Sequence, residues 1–80
     1  MTRTAINFSA GCPFAESVRA CLRPHHYTQF IRCTDTVRRI AKRHGFHEEY
    51  TYFPTDDIAV MVLTNDQYET YEVTFADEAQ

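Results

Sequence analysis

Residues 25–33 read His25-His26-Tyr27-Thr28-Gln29-Phe30-Ile31-Arg32-Cys33, and the reading of this stretch decides the topology. Tyr27, Gln29, Ile31 and Cys33 alternate with Thr28, Phe30 and Arg32, and β-branched and aromatic residues dominate, as in a strand. Tyr27, Phe30 and Ile31 also stand at i, i+3 and i+4, the spacing of one helical face. The β-former content favours the strand. The element order then becomes β-α-β-α-β-β-β.

Upstream, Thr4, Ile6 and Phe8 alternate with Ala5 and Asn7, which predicts a short strand over residues 4–8. Residues 12–24 predict a helix. Pro13 suits the first helical position, where its missing N–H costs nothing. Glu16 near the start and Arg19 and Arg23 near the end complement the helix dipole. Phe14, Val18, Cys21 and Leu22 form one apolar stripe, and Pro24 stops the helix.

Downstream, residues 34–45 (TDTVRRIAKRHG) predict the clearest helix of the chain. Thr34 or Asp35 can cap it and Gly45 can end it. Val37, Ile40, Ala41 and His44 form its buried stripe, and Arg38, Arg39, Lys42 and Arg43 cover the other face. The remaining residues predict a three-stranded meander. Its strands are Glu49–Phe53, Ile58–Thr64 and Tyr68–Phe75, with turns at residues 54–57 and 65–67. Ile58–Thr64 is apolar on both faces and belongs at the centre of a sheet. Tyr71, Val73 and Phe75 point inward, and Thr70, Glu72 and Thr74 outward. The expectation is a single α+β domain over residues 1–80, in two layers. Two helices pack on a mostly antiparallel sheet that ends in the meander.

With 80 residues the chain has a small core. Its two glycines, Gly11 and Gly45, are far apart, which excludes a Walker loop, a dinucleotide fingerprint and a nucleophile elbow. The longest apolar run is Ile58–Leu63, far short of the ~20 residues of a membrane span. The first residues lack the apolar core of a signal peptide, and three cysteines are an odd number. A cytoplasmic protein with free thiols is expected. Disorder is expected only at Met1–Arg3 and Asp77–Gln80.

The net charge of −3 conceals a segregation. Residues 1–47 hold all eight Lys/Arg and two acids, Glu16 and Asp35, for a net +6. Residues 48–80 hold nine acids and no Lys or Arg, for −9. The simplest reading is attraction between layers, with the other charges solvated. The functional reading makes one pole a docking surface. Acids on a sheet that also displays Tyr50, Tyr52 and Tyr68 suit a basic groove of the kind reserved for nucleic acid.

Other chemistry finds less support. Cys21 with His25, and His44 with His47, are conceivable ligand pairs, but neither spacing is specific to a zinc site, and no metal or cofactor is expected. Asp56-Asp57 and Glu48-Glu49 are adjacent, so in a strand they point to opposite faces and make poor paired carboxylates. No nucleophile signature occurs, and an enzyme is not expected. Residues 36–46 (TVRRIAKRHGF) look like the first helix of a helix-turn-helix. The following HEEYTYFP opens with carboxylates that DNA repels and ends in proline, so it does not supply a recognition helix. Direct nucleic-acid binding through Arg38, Arg39, Lys42 and Arg43 stands as the alternative. Phe8, Phe14, Phe30, Phe46, Phe53, Val60, Val62 and Phe75 are expected to make the core. The tyrosines suit an interface, a homodimer included.

Across its whole length, in size, acidity and lack of catalytic motifs, the chain resembles the small phage-encoded anti-CRISPR proteins. The resemblance implies a non-enzymatic inhibitor in the host bacterial cytoplasm. It would act as a DNA mimic, blocking a basic nucleic-acid-binding groove of a protein complex such as a CRISPR effector by stoichiometric binding. The expected contact residues are Glu48, Glu49, Tyr50, Tyr52, Asp56, Asp57, Glu69 and Glu72.

Overall fold

The computed structural model describes the backbone of residues 2–79 and the side chains of residues 3–78. Strand β1 (Thr2–Phe8) leads into helix α1 (Ala15–Cys21), then a short 3-10 turn over Pro24–Thr28 and helix α2 (Phe30–Arg43). Strands β2 (His47–Thr55), β3 (Ile58–Thr64) and β4 (Thr70–Ala79) complete the chain. The α+β class holds, with both helices on one side of a wholly antiparallel sheet of order β1-β4-β3-β2.

The strand expected at residues 25–33 is not formed. Pro24 opens the 3-10 turn, and local hydrogen bonds close it. His26 Nδ1 accepts from the Arg23 amide at 3.0 Å, and the Thr28 hydroxyl donates to the His25 carbonyl at 2.9 Å. Helix α2 then starts at Phe30, so Thr34 and Asp35 lie inside it rather than capping it. The stripe Val37, Ile40, Ala41 extends back by one turn to Cys33, which is fully buried. Burial of that stripe outweighs the local β preference. Thr34 and Thr36 are buried too, and their hydroxyls donate to the carbonyls of Ile31 (3.0 Å) and Arg32 (2.8 Å), so no polar group is stranded. The order is therefore β-α-α-β-β-β.

Other boundaries also differ. Helix α1 begins at Ala15, and Pro13 lies in the preceding turn. Cys21 and His44, expected in buried stripes, are exposed. Thr2, Arg3 and residues 77–79, expected to be disordered, are strand, because β1 and β4 pair along their length from Thr2↔Ala79 to Phe8↔Val73. Met1 and Gln80 lie outside the described residues. Strand β2 runs through Pro54 to Thr55, and Tyr68 precedes β4. Gly45 ends α2 as expected, with φ at +85°.

Strand β3 is central and buried along almost its whole length. Ala59, Met61 and Leu63 face the helices and join Phe14, Val18, Leu22, Cys33, Val37, Ile40, Ala41, Phe46, Val73 and Phe75 in one core. Phe14 is its hub, with ring centroids 5.4 Å from Phe46 and 6.4 Å from both Phe8 and Tyr71. Phe30 and Phe53 were expected in this core, but they are 44% and 65% exposed. Val60 and Val62 are buried, yet they point to the opposite face of the sheet, away from the helices.

Phe14→Ala removes a fully buried ring that joins α1 to the sheet. We expect a loss of about 3–5 kcal/mol, measured by urea denaturation. That is a large share of the stability of a domain this small.

Candidate functional site

The register sorts the charged side chains. On β4, Tyr71, Val73, Phe75 and Asp77 share the helix side, and Thr70, Glu72, Thr74, Ala76 and Glu78 the other. On that open side Val62 lies between Tyr50 and Glu72, and Val60 between Tyr52 and Thr74. Tyr50 and Tyr52 are 54% and 43% exposed, with ring centroids 6.0 Å apart. The centre of the open face is thus two buried valines flanked by an exposed tyrosine pair.

A register shift between Glu48 and Tyr50 bulges β2. It places Glu49 with Thr64, Thr70 and Tyr68 along a shallow groove of about 460 Å³ at one end of this face. The sheet contains a single Lys or Arg, Arg3, and its guanidinium sits 4.6 Å from the ring centre of Tyr27. Arg3 pairs in register with Glu78 at the β1 edge of the open side, and its guanidinium turns round that edge to Tyr27, which packs against the core on the helix side.

The expected acidic contact set therefore divides. Glu49, Tyr50, Tyr52 and Glu72 belong to the open face. Glu48 does not. It pairs in register with Leu63, on the helix side. There Arg38 Nε donates to Glu48 Oε1 at 2.7 Å, Arg38 also reaches Asp35 at 3.1 Å, and the Thr51 hydroxyl donates to the second Glu48 oxygen. The hydrogen bonds from Arg38 and then Thr51 hold the Glu48 carboxyl below the usual glutamate range, and Glu48 in turn raises Arg38. One member of each expected charge set thus neutralises the other. Asp56 and Asp57 occupy the β2–β3 turn and Glu69 the β3–β4 turn, at opposite ends of β3. A seven-residue strand separates them, roughly 20 Å. Glu69 Oε1 is held by the Asn65 amide group at 2.9 Å.

Of the basic candidates, Arg39, Lys42 and Arg43 remain exposed on α2, with Arg38 committed to its two carboxylates. Sequence reasoning assigned Tyr68 to a strand. It lies instead in the β3–β4 turn at φ +63°, with 89% of its surface exposed. A bulky residue in the left-handed region is costly, and such positions concentrate where side chains are displayed for a purpose. Nothing in the local sequence signals that backbone angle.

Among the described residues no three His, Cys, Asp or Glu side chains are grouped to hold a metal ion. Cys33 is buried, and burial raises its thiol, as it does that of the half-buried Cys12. No described helix is long and apolar enough to cross a membrane. No protein-family model, curated protein or solved structure matches the chain.

Two outcomes test this geometry. Because the native state depresses Glu48, the unfolded chain takes up the proton first as pH falls. The contribution of the Arg38–Glu48 pair is therefore full above about pH 5 and fades as pH falls through the lowered value. Glu48→Gln should cost up to about 1 kcal/mol near pH 7, since the pair is partly exposed. The gap to the native protein should narrow in denaturation curves taken at successively lower pH below about 4, as the Glu48 carboxylate takes up its proton. Tyr68→Asn, which tolerates the left-handed backbone, should raise stability by up to about 1 kcal/mol in the same assay.

Proposed function

We propose that the protein is a non-enzymatic, stoichiometric inhibitor that applies its open sheet face to the basic nucleic-acid-binding surface of a protein complex. The observation that carries this reading is the makeup of that face. Its apolar centre of Val60 and Val62 is flanked by the Tyr50–Tyr52 pair, Glu49 and Glu72 lie beside them, and Arg3, the one Lys or Arg of the described strands, stands at the far β1 edge with its guanidinium on Tyr27. Exposed tyrosines over a dry centre are the usual anchors of a protein interface. The surrounding carboxylates favour a Lys/Arg-lined partner, raise the encounter rate and repel nucleic acid itself. The overall resemblance to small phage-encoded anti-CRISPR proteins makes a CRISPR effector complex in a bacterial cytoplasm the first partner to test.

The second reading is direct binding to nucleic acid through α2. Arg39, Lys42 and Arg43 are available for phosphates, while Arg38 is not. Three contacts would give weak, salt-sensitive and sequence-independent binding.

Gel-shift titration of purified type I and type II effector complexes on target duplex DNA tests the first reading. DNA binding should disappear near one equivalent of inhibitor. Tyr50→Ala with Tyr52→Ala should weaken inhibition by about tenfold or more, the worth of one hot-spot side chain. Glu49→Lys with Glu72→Lys should slow association and reverse its salt dependence. If the protein instead binds duplex DNA alone, with a steep salt slope removed by Arg39→Ala, Lys42→Ala and Arg43→Ala, the inhibitor reading gives way to the second.

A further inference from the structure

A pocket of about 290 Å³ opens at the end of the molecule where the β2–β3 turn meets the start of α2, apart from the open sheet face. About half of its lining is apolar. Phe30 and Phe53 line it while remaining largely exposed, and Phe30 packs edge-on against the buried Phe75 at 5.9 Å between ring centroids. Its polar lining is one-signed: Asp56, Asp57 and Asp77 contribute carboxylates, and no Lys, Arg or His lines it. The Asp77 amide donates to the Asp57 carbonyl at 2.8 Å, which fixes the turn to β4 and keeps two of these acids adjacent. Among the described residues none of the three is in an ion pair.

Thr4 supplies an independent sign of a ligand. It is 6% exposed, lines the pocket, and its hydroxyl has no hydrogen-bond partner among the described residues. No described side-chain oxygen or nitrogen is both sealed from solvent and unpaired, so this hydroxyl keeps access to solvent at a residue that lines the pocket.

We propose that the pocket between the β2–β3 turn and the start of α2 binds an alkylammonium group, its stem lying against the phenylalanine rings and its charge beside the Asp57 and Asp77 side of the lining. The chemistry is complementary. The exposed rings gain by covering an apolar stem, and each face also attracts a nearby cation. The carboxylates and the free Thr4 hydroxyl accept the N–H donors of the ammonium. An anion would meet three negative charges, and a neutral stem would leave the carboxylates unpaired. A lysine side chain of a protein and a free aliphatic diamine share this chemistry.

The test is titration of the ¹⁵N-labelled protein with n-butylammonium, following backbone amide shifts around Asp57, Phe53 and Asp77. Saturable binding in the millimolar range is expected for so small a ligand. n-Butanol, which keeps the stem without the charge, and ammonium chloride, which keeps the charge without the stem, should each bind at least about tenfold more weakly. Asp57→Asn with Asp77→Asn should weaken n-butylammonium by about tenfold, and Glu72→Gln on the open face should leave it unchanged. All of these side chains are exposed, and the dispersion of the same spectra reports that each variant is folded. Equal binding of n-butanol, equal binding of ammonium, or no saturable shift up to about 50 mM would each overturn the proposal. Comparison of 1,5-diaminopentane with Nα-acetyl-lysine amide then assigns the source. Tighter binding of the diamine supports a free polyamine, and tighter binding of the lysine derivative supports a protein side chain.

Discussion

Strand β3 has two apolar faces, and the chain has helices for one of them. Ala59, Met61 and Leu63 are covered by α1 and α2, and each large side chain so buried contributes about 1.5–3 kcal/mol. Val60 and Val62 face the other way and depend for cover on their strand neighbours Tyr50, Tyr52, Thr74 and Glu72. Both described helices pack on the other side, so among the described residues no third layer covers these valines. The open face with its tyrosine pair is the consequence of that shortage, and so is the place of the proposed interface.

The charges follow the same division of layers. Residues 19–43 carry seven of the eight Lys/Arg, and the sheet and its turns carry nine of the eleven acids. Where the layers meet, Arg38 and Glu48 cancel and tie α2 to the edge strand β2. The other ion pairs among the described residues, Arg19–Glu16 and Arg38–Asp35, lie within the helices, so most of the charge stays segregated by layer. The two sides offer opposite charge to their surroundings, and the carboxylates on the sheet side oppose the approach of phosphates there.

Reading the sequence alone recovered the meander, the centrality of β3 and the inward Tyr71–Val73–Phe75 set. Each depends on period-two alternation or on an unbroken apolar run, which are local properties. It failed at residues 25–33, where β-forming residues lie in a helix because Cys33 continues the stripe of Val37 and Ile40. It also failed for Phe30 and Phe53, since apolar character does not say whether a neighbour arrives to cover a ring. Glu48 was misplaced for a different reason. A single bulge in β2 sends residues 48 and 50 to opposite faces, and a register shift leaves no trace in composition.

The α+β class, the two helices and the separation of +6 from −9 along the chain follow from residue order, because hydrophobic period and charge count are properties of short segments. Which charges remain free, which face stays open, and which distant residues share a pocket follow from packing. Thr4, Phe30, Asp57 and Asp77 meet at one end only because β1 pairs with β4 and α2 starts above them. Such long-range pairings are set by the burial of the whole core, and no local stretch of the chain encodes them.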